Sequence, residues 1–321
     1  MVAITMLCTS VALAQSPTVA NLEYARVNNA PLRLDLYLPT TPTSNRPLVI
    51  FVHGGGWTSG NKDVIQAGML PLLAQGYALA SINYRLVNST DANLYGGMSA
   101  VIFPAAVHDV KAAVRFLRAN ASVYGFDSNR FGLWGGSAGS HLAALAGLSA
   151  GNAALEGSVG NQLGTSSAVQ VVVDAYGPTD ILRMGPDATQ AGFPGAGWDA
   201  PNTAHALLIG CGAQGMGAIR ANLDNPAAPW PQCVAQANLA NPVLQVDATD
   251  PPVWIGHANN DPVVPWPQSQ RLFDALLTAS VPSSFVRAAS GGHQLGEAQY
   301  VQARAFVVAA LAPALLRDGF E

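Results

Sequence analysis

Apolar and polar residues alternate along this chain in two rhythms. Residues 32–39, LRLDLYLP, change character at nearly every position, which predicts a strand with one solvated face. Residues 46–55, RPLVIFVHGG, are instead almost continuously apolar at first and rich in β-branched side chains, the pattern of a central strand buried on both faces. Further strand-like runs occur at 77–86, 130–136, 169–177, 251–257 and 283–289. Between them the period lengthens, predicting helices over 62–75, 104–125, 137–148, 266–279 and 297–316. The segment 104–125 is the clearest helix. Val107, Val110, Val114 and Leu117 share one face, Pro104 suits the first turn and Gly125 supplies the stop. Strand and helix in alternation predict an α/β fold with a mostly parallel sheet covered on both faces. Residues 178–250 break the rhythm. They are rich in Gly, Pro, Ala and Asn and read as a cap-like insertion over one end of the sheet, within a single domain.

Composition adds limits to this picture. Half of the 321 residues are hydrophobic and 11% are charged, which suits a well-buried globule. The net charge of −4, without a dense block of either sign, argues against nucleic acid or an anionic membrane surface as a partner. Residues 2–13 are largely apolar, and Ala12-Leu13-Ala14 before Gln15 matches a cleavage site, although the n-region lacks Lys and Arg. A signal peptide at 1–14 and a secreted or periplasmic mature chain at 15–321 are therefore expected. No other apolar run approaches the roughly 20 residues of a membrane span; 306–316 is interrupted by Pro313. Of three cysteines, Cys8 would leave with the signal peptide. The remaining pair, Cys211 and Cys233, predicts one disulfide if the chain is exported, and two buried thiols otherwise. Two cysteines without clustered histidines make a zinc site unfavourable, and no metal or cofactor is expected.

Candidate chemistry begins at 134–140, WGGSAGS. A strand running directly into a helix must turn within two or three residues, and side chains two positions either side of the turning residue would collide. Gly135 and Gly139 flank Ser137 at those positions. The serine is thus thrust out at the carboxyl end of the sheet, before the amino end of a helix, where negative charge is favoured. The second element is HGGGW at 53–57, after the central strand. Consecutive glycines let the amides of Gly55 and Gly56 turn inward, and with the amide of Ala138 they form a candidate oxyanion hole.

These segments, with SINYRL, DAYGPTD and DPPVWIGHANNDPVVPWPQS, resemble the α/β-hydrolase esterases. The resemblance is greatest to the hormone-sensitive-lipase-like and bacterial feruloyl-esterase-like group (α/β-hydrolase fold-3) and covers about residues 30–315. It implies an eight-stranded, mostly parallel sheet and a triad in the chain order Ser, acid, His. His293, in ASGGHQLGE, matches the family's base position. The acid belongs on the loop after the penultimate strand, where HANNDPVVP places Asp261. Asp180, Asp247 and Asp250 are its rivals, and Asp174 reads as a buried hydrogen-bonding group. His141, His205 and His257 are expected in packing or structural roles, and His53 as a brace of the glycine loop. Ser140 stands where relatives often carry Gly, and the insertion is more elaborate than in the feruloyl-like group. Its Trp198 and Trp230 stack on an aromatic or sugar group or else join the core.

The expected activity is that of a serine carboxylic-ester hydrolase acting on a small-molecule or polymer-linked ester through an acyl-enzyme. Short acyl, acetyl-xylan, feruloyl and polyester substrates all remain open. An imidazole base of ordinary pKa, about 6.5, predicts activity lost toward acid pH. An amidase, formamidase or peptidase on the same triad is the alternative, and a catalytically inactive binding module the remoter one.

Overall fold

The computed structural model describes residues 15–87 and 101–313. The expected signal peptide and the polar end LLRDGFE lie outside the described residues. Eight strands form one sheet in the order β1-β2-β4-β3-β5-β6-β7-β8. They are β1 (Val19–Val27), β2 (Ala30–Tyr37), β3 (Arg46–Val52), β4 (Ala78–Ile82), β5 (Phe126–Gly136), β6 (Val171–Ala175), β7 (Val253–Ala258) and β8 (Ser283–Ala288). The pairs β1–β2 and β2–β4 are antiparallel, and every later pair is parallel. Strands β3, β4, β6 and β7 are buried along their whole length, which is why their sequences are continuously apolar.

The helices that matter here are α1 (Ala105–Ala119), α2 (Ala138–Gly147), α3 (Met184–Gln190), α4 (Ala204–Ile209), α5 (Gly215–Ala221), α6 (Trp230–Leu239), α7 (Pro267–Thr278) and α8 (Glu297–Ala310). One core packs α1, α2 and the inner face of α7 on one side of the sheet, through residues such as Val110, Leu117, Leu142 and Leu272. The other core packs α8 on the opposite side, with Trp134, Trp254, Ala303 and Val307. Helix α2 is wholly buried, apolar except for Ser140 and His141. It fixes the elbow in front of it.

Three expectations need correction. The helix expected over 62–75 reduces to two short turns, Ala67–Met69 and Pro71–Ala74, because Pro71 cannot sit inside a helix and starts a new one. The strand β1 was not expected from the pattern. Register shifts between Val19 and Leu22 and between Glu23 and Ala25, with Asn21 at φ 58°, destroy its period of two. It closes on β2 through Asn28 and Asn29, both at positive φ, as a tight two-residue hairpin demands. The helix expected over 104–125 stops at Ala119, where Asn120 folds its side-chain amide back onto the Phe116 carbonyl, and a further turn leads to Gly125 at φ 69°.

Residues 178–250 contain α3 to α6 and connecting turns. The disulfide Cys211–Cys233, with Cα atoms 6.0 Å apart, ties the end of α4 to α6. This segment reaches the site at two points. The Trp198 indole N–H donates to the Val263 carbonyl (3.0 Å), and a methyl group on Gly56 would lie 3.4 Å from the Ala204 side chain. Trp230 is half-buried against the core.

Candidate active site

Excluded volume builds the elbow. Strand β5 ends at Gly136 and α2 begins at Ala138, so Ser137 alone makes the turn, at φ 56° and ψ −126°. Non-glycine residues rarely hold a positive φ, and here the surroundings enforce it. A methyl group on Gly139 would lie 2.0 Å from the Val52 carbonyl oxygen, and one on Gly135 2.2 Å from the Gly139 carbonyl oxygen. Both glycines are needed for α2 to start this close to β3 and β5. The Ser137 amide donates to the Ala175 carbonyl (3.0 Å), locking the turn to β6.

Opposite the elbow, the glycine loop turns at Gly55 (φ 113°) and Gly56 (φ 59°). Its fold is closed by the Gly55 carbonyl, which accepts from the amides of Thr58 and Ser59, both at 3.1 Å. Among the described residues, the amides of Gly55, Gly56 and Ala138 donate to no protein acceptor. Gly55 and Gly56 line a cavity of about 330 Å³ that also contains Ser137, His293, Gln66 and Tyr176. His53 braces the loop as expected. Its Nδ1 lies 2.8 Å from the Gly54 carbonyl and its ring stacks on Tyr84 at 4.3 Å. Burial favours the neutral ring and lowers the His53 pKa, outweighing the Gly54 carbonyl, which favours the protonated ring.

The candidate base and acid, His293 and Asp261, arrive from the loops after β8 and β7. The His293 Nε2 lies 2.8 Å from Ser137 Oγ, and its Nδ1 lies 2.7 Å from Asp261 Oδ2. A carboxylate facing Nδ1 puts the ring proton there, which leaves Nε2 free to accept from the serine hydroxyl. Asp261 is fully buried and saturated with donors. Its Oδ1 accepts from the amides of Val263 (2.8 Å) and Val264 (3.0 Å). Its Oδ2 faces, besides His293, the Nε2 of His257 at 3.2 Å, a nitrogen shared with the Val264 carbonyl at 2.9 Å, while His257 Nδ1 lies 2.7 Å from Ser269 Oγ. Burial by itself pushes this carboxyl up, but hydrogen bonds from His257 and His293 outweigh it and hold the group well below the usual carboxylate range. Asn260 secures the base loop, its Oδ1 accepting from the Gly292 amide at 3.0 Å.

The rival acids do not come to His293. Asp180 instead pairs with the Asn241 amide (3.1 Å), and Asp247 and Asp250 bond to each other's backbone in an exposed turn. Asp174 is buried with Ser140 Oγ 2.5 Å from its Oδ1, so the serine at that position partners a carboxyl rather than the substrate. His141 is fully buried, accepts from the Trp57 indole (3.2 Å) and donates to the Ala240 carbonyl (2.7 Å). Burial drives its pKa down to about 4, so it is neutral and fully engaged. His205 bonds to the Trp198 carbonyl (2.7 Å) within the insertion. Sequence reasoning assigned His257 no contact with the acid. The signal was its spacing four residues before Asp261, with both at one strand end. It also passed over Gln66 and Tyr176, which carry no motif. Among the described residues no cluster of His, Cys, Asp and Glu could hold a metal, and no helix is long and apolar enough to cross a membrane.

Known proteins share this arrangement of elements. Esterase LipQ of Mycobacterium tuberculosis is 28% identical over 265 residues, covering 82% of this chain and 53% of LipQ. Esterase LipC of the same organism is 35% identical over 140 residues, 43% of this chain and 32% of LipC. This chain thus spans about half the length of the curated relatives it matches, or less. Among solved structures, a truncated form of a carbohydrate esterase from gut microbiota superposes with a TM-score of 0.74 at 30% identity, covering 94% of this chain and 98% of that one. Esterase Est2 of Thermogutta terrifontis, at 21% identity and a TM-score of 0.67 over 93% of this chain and 95% of that one, shares the fold. The BD-FAE family model matches residues 34–276, well over half of the sequence, and the chain belongs to that family of α/β-hydrolases.

Proposed function

We propose that this protein is a secreted serine carboxylic-ester hydrolase with Ser137, His293 and Asp261 as its triad. The observation that carries the reading is the unbroken hydrogen-bonded chain Ser137–His293–Asp261, at 2.8 and 2.7 Å, beside three undonated amides. In this reading His293 Nε2 takes the hydroxyl proton as Ser137 Oγ attacks the ester carbonyl. The carbonyl oxygen, now an oxyanion, rests on the amides of Gly55, Gly56 and Ala138. His293 then protonates the departing alcohol oxygen, leaving an acyl-Ser137. Water, deprotonated by the same nitrogen, releases the acid and restores the serine. Asp261 stays ionised throughout and holds the imidazolium in place.

Esterase relatives and the 30% identical carbohydrate esterase support an ester as substrate, and the latter supports a sugar-borne alcohol. The Cys211–Cys233 disulfide supports an oxidising compartment. Fluorophosphonate labelling of the wild type, abolished in Ser137→Ala, tests the nucleophile. Matched p-nitrophenyl esters and anilides test the bond cleaved, and faster anilide turnover would overturn the ester assignment. The amino terminus of the exported protein, expected at Gln15, tests secretion.

A further inference from the structure

The cavity beside Ser137 has a polar wall that the hydrolytic steps do not use. Tyr176 follows β6 at φ 51° and packs edge-on against the His293 ring, with centroids 4.8 Å apart. A methyl group on Gly136, the residue before the nucleophile, would lie 3.1 Å from the Tyr176 hydroxyl and 3.5 Å from the Gln66 amide nitrogen. Both side chains therefore stand directly beside the serine. Their hydrogen bonds have one consistent direction. The buried Trp134 indole can only donate, and it does so to Gln66 Oε1 at 2.8 Å. The Gln66 amide nitrogen must then face Tyr176 Oη, to which it donates at 3.1 Å. Tyr176 Oη is thus an acceptor within the protein, and among the described residues its own hydrogen has no acceptor. Burial raises the phenol pKa, so that hydrogen is retained at any ordinary pH.

In the ester complex the alcohol oxygen must face His293 Nε2. With the carbonyl oxygen on the amides, the direction left for the acyl substituent is the part of the cavity lined by Gly136, Gln66 and Tyr176. Trp134, fully buried and stacked with Tyr300 at 6.5 Å, lies outside the cavity lining and holds Gln66 from behind through its indole N–H. A short acyl group ends against an oriented O–H donor there. We propose that Tyr176 is a specificity-determining residue that selects short acyl groups carrying an oxygen acceptor near the carbonyl, with Gln66 and Trp134 orienting its hydroxyl.

The inference rests on Ser137 as nucleophile. A site built to hydrogen-bond one substrate discriminates against the isostere that cannot. The test compares methoxyacetyl and butanoyl esters of one alcohol, which differ by an oxygen in place of a methylene. The ratio of their kcat/KM values cancels much of the intrinsic reactivity when wild type and variant are compared. Tyr176→Phe keeps the contact with His293 and deletes the donor, so the ratio should fall about three- to tenfold. In Gln66→Glu both carboxyl oxygens accept, one from Trp134 and one from Tyr176, which engages the phenol hydrogen and should lower the ratio likewise. Placing the same oxygen on the alcohol, as 2-methoxyethyl against butyl esters, should leave the variant and wild-type ratios equal. An unchanged acyl ratio in Tyr176→Phe, or a shift only on the alcohol side, would overturn the assignment while fluorophosphonate labelling of Ser137 persists. Absence of labelling in the wild type would sink the nucleophile and this inference together.

Discussion

The serine elbow at 134–140 and the corner formed by His257, Asp261 and His293 meet at one hydrogen bond, yet they are held in place differently. At the elbow, the backbone of β3 and α2 leaves no room for a single methyl group on Gly135 or Gly139, and Ser137 is placed by what cannot fit. At the corner the placement is polar. Asp261 is buried with two amides and two imidazoles around it, and each of those donors depends on the charge at the centre. Steric placement is local and survives changes of charge. Polar placement joins two distant loops and fails when one proton moves.

Four perturbations separate the two regions. The largest effect is expected at the corner, from Asp261→Asn. Its Oδ1 can still accept from Val263 and Val264, but an NH2 group would then face His293 and force the proton onto Nε2. We expect kcat to fall by about 10⁴ with little change in the circular dichroism spectrum. A variant that keeps more than a tenth of the activity would break the comparison. Gly139→Ala should do the reverse. With a methyl group 2.0 Å from the Val52 carbonyl, the elbow must open, and a loss of about 4 kcal/mol or outright failure to fold is expected in urea titration.

The third test uses pH against the helix behind the elbow. His141, depressed to about 4 when folded against about 6.5 when unfolded, stays neutral while the unfolded chain gains a proton. Its contribution is complete above pH 6.5 and is lost as pH falls from there toward 4, up to about 3 kcal/mol. Urea midpoints at pH 7 and pH 4 should reveal that slope, and His141→Gln should flatten it. The smallest effect is expected from His257→Leu, which removes the imidazole 3.2 Å from Asp261 together with its bonds to the Val264 carbonyl and Ser269 hydroxyl. A loss of about 2 kcal/mol in stability, with activity reduced less than in Asp261→Asn, would fit a carboxylate that retains three donors. Equal losses of activity in the two variants would mean that His257, rather than His293, sets the acid's geometry.

Much of the elbow was legible because its cause is local. The spacing of Gly135, Ser137 and Gly139 after an apolar strand carries the geometry with it, as HGGGW does for the loop opposite. Helix 62–75 was misread because its apolar spacing ignored Pro71, and β1 because two register shifts erase the alternation on which strand recognition rests. The corner was legible only in part. Asp261 and His293 came from resemblance to a family, whereas His257 was given a structural part without its bond to the acid.

By itself, the sequence determined the α/β order of elements, the turn at Ser137 and the glycine loop, since each follows from periodicity or from backbone sterics over a few residues. Only the tertiary structure decided which acid reaches His293, that His257 shares it, and that Gln66 and Tyr176 wall the cavity. Apart from His257 and Asp261, four positions apart, those contacts join residues 32 to 156 positions apart, and a hydrogen bond across such a distance leaves no periodic trace in the chain.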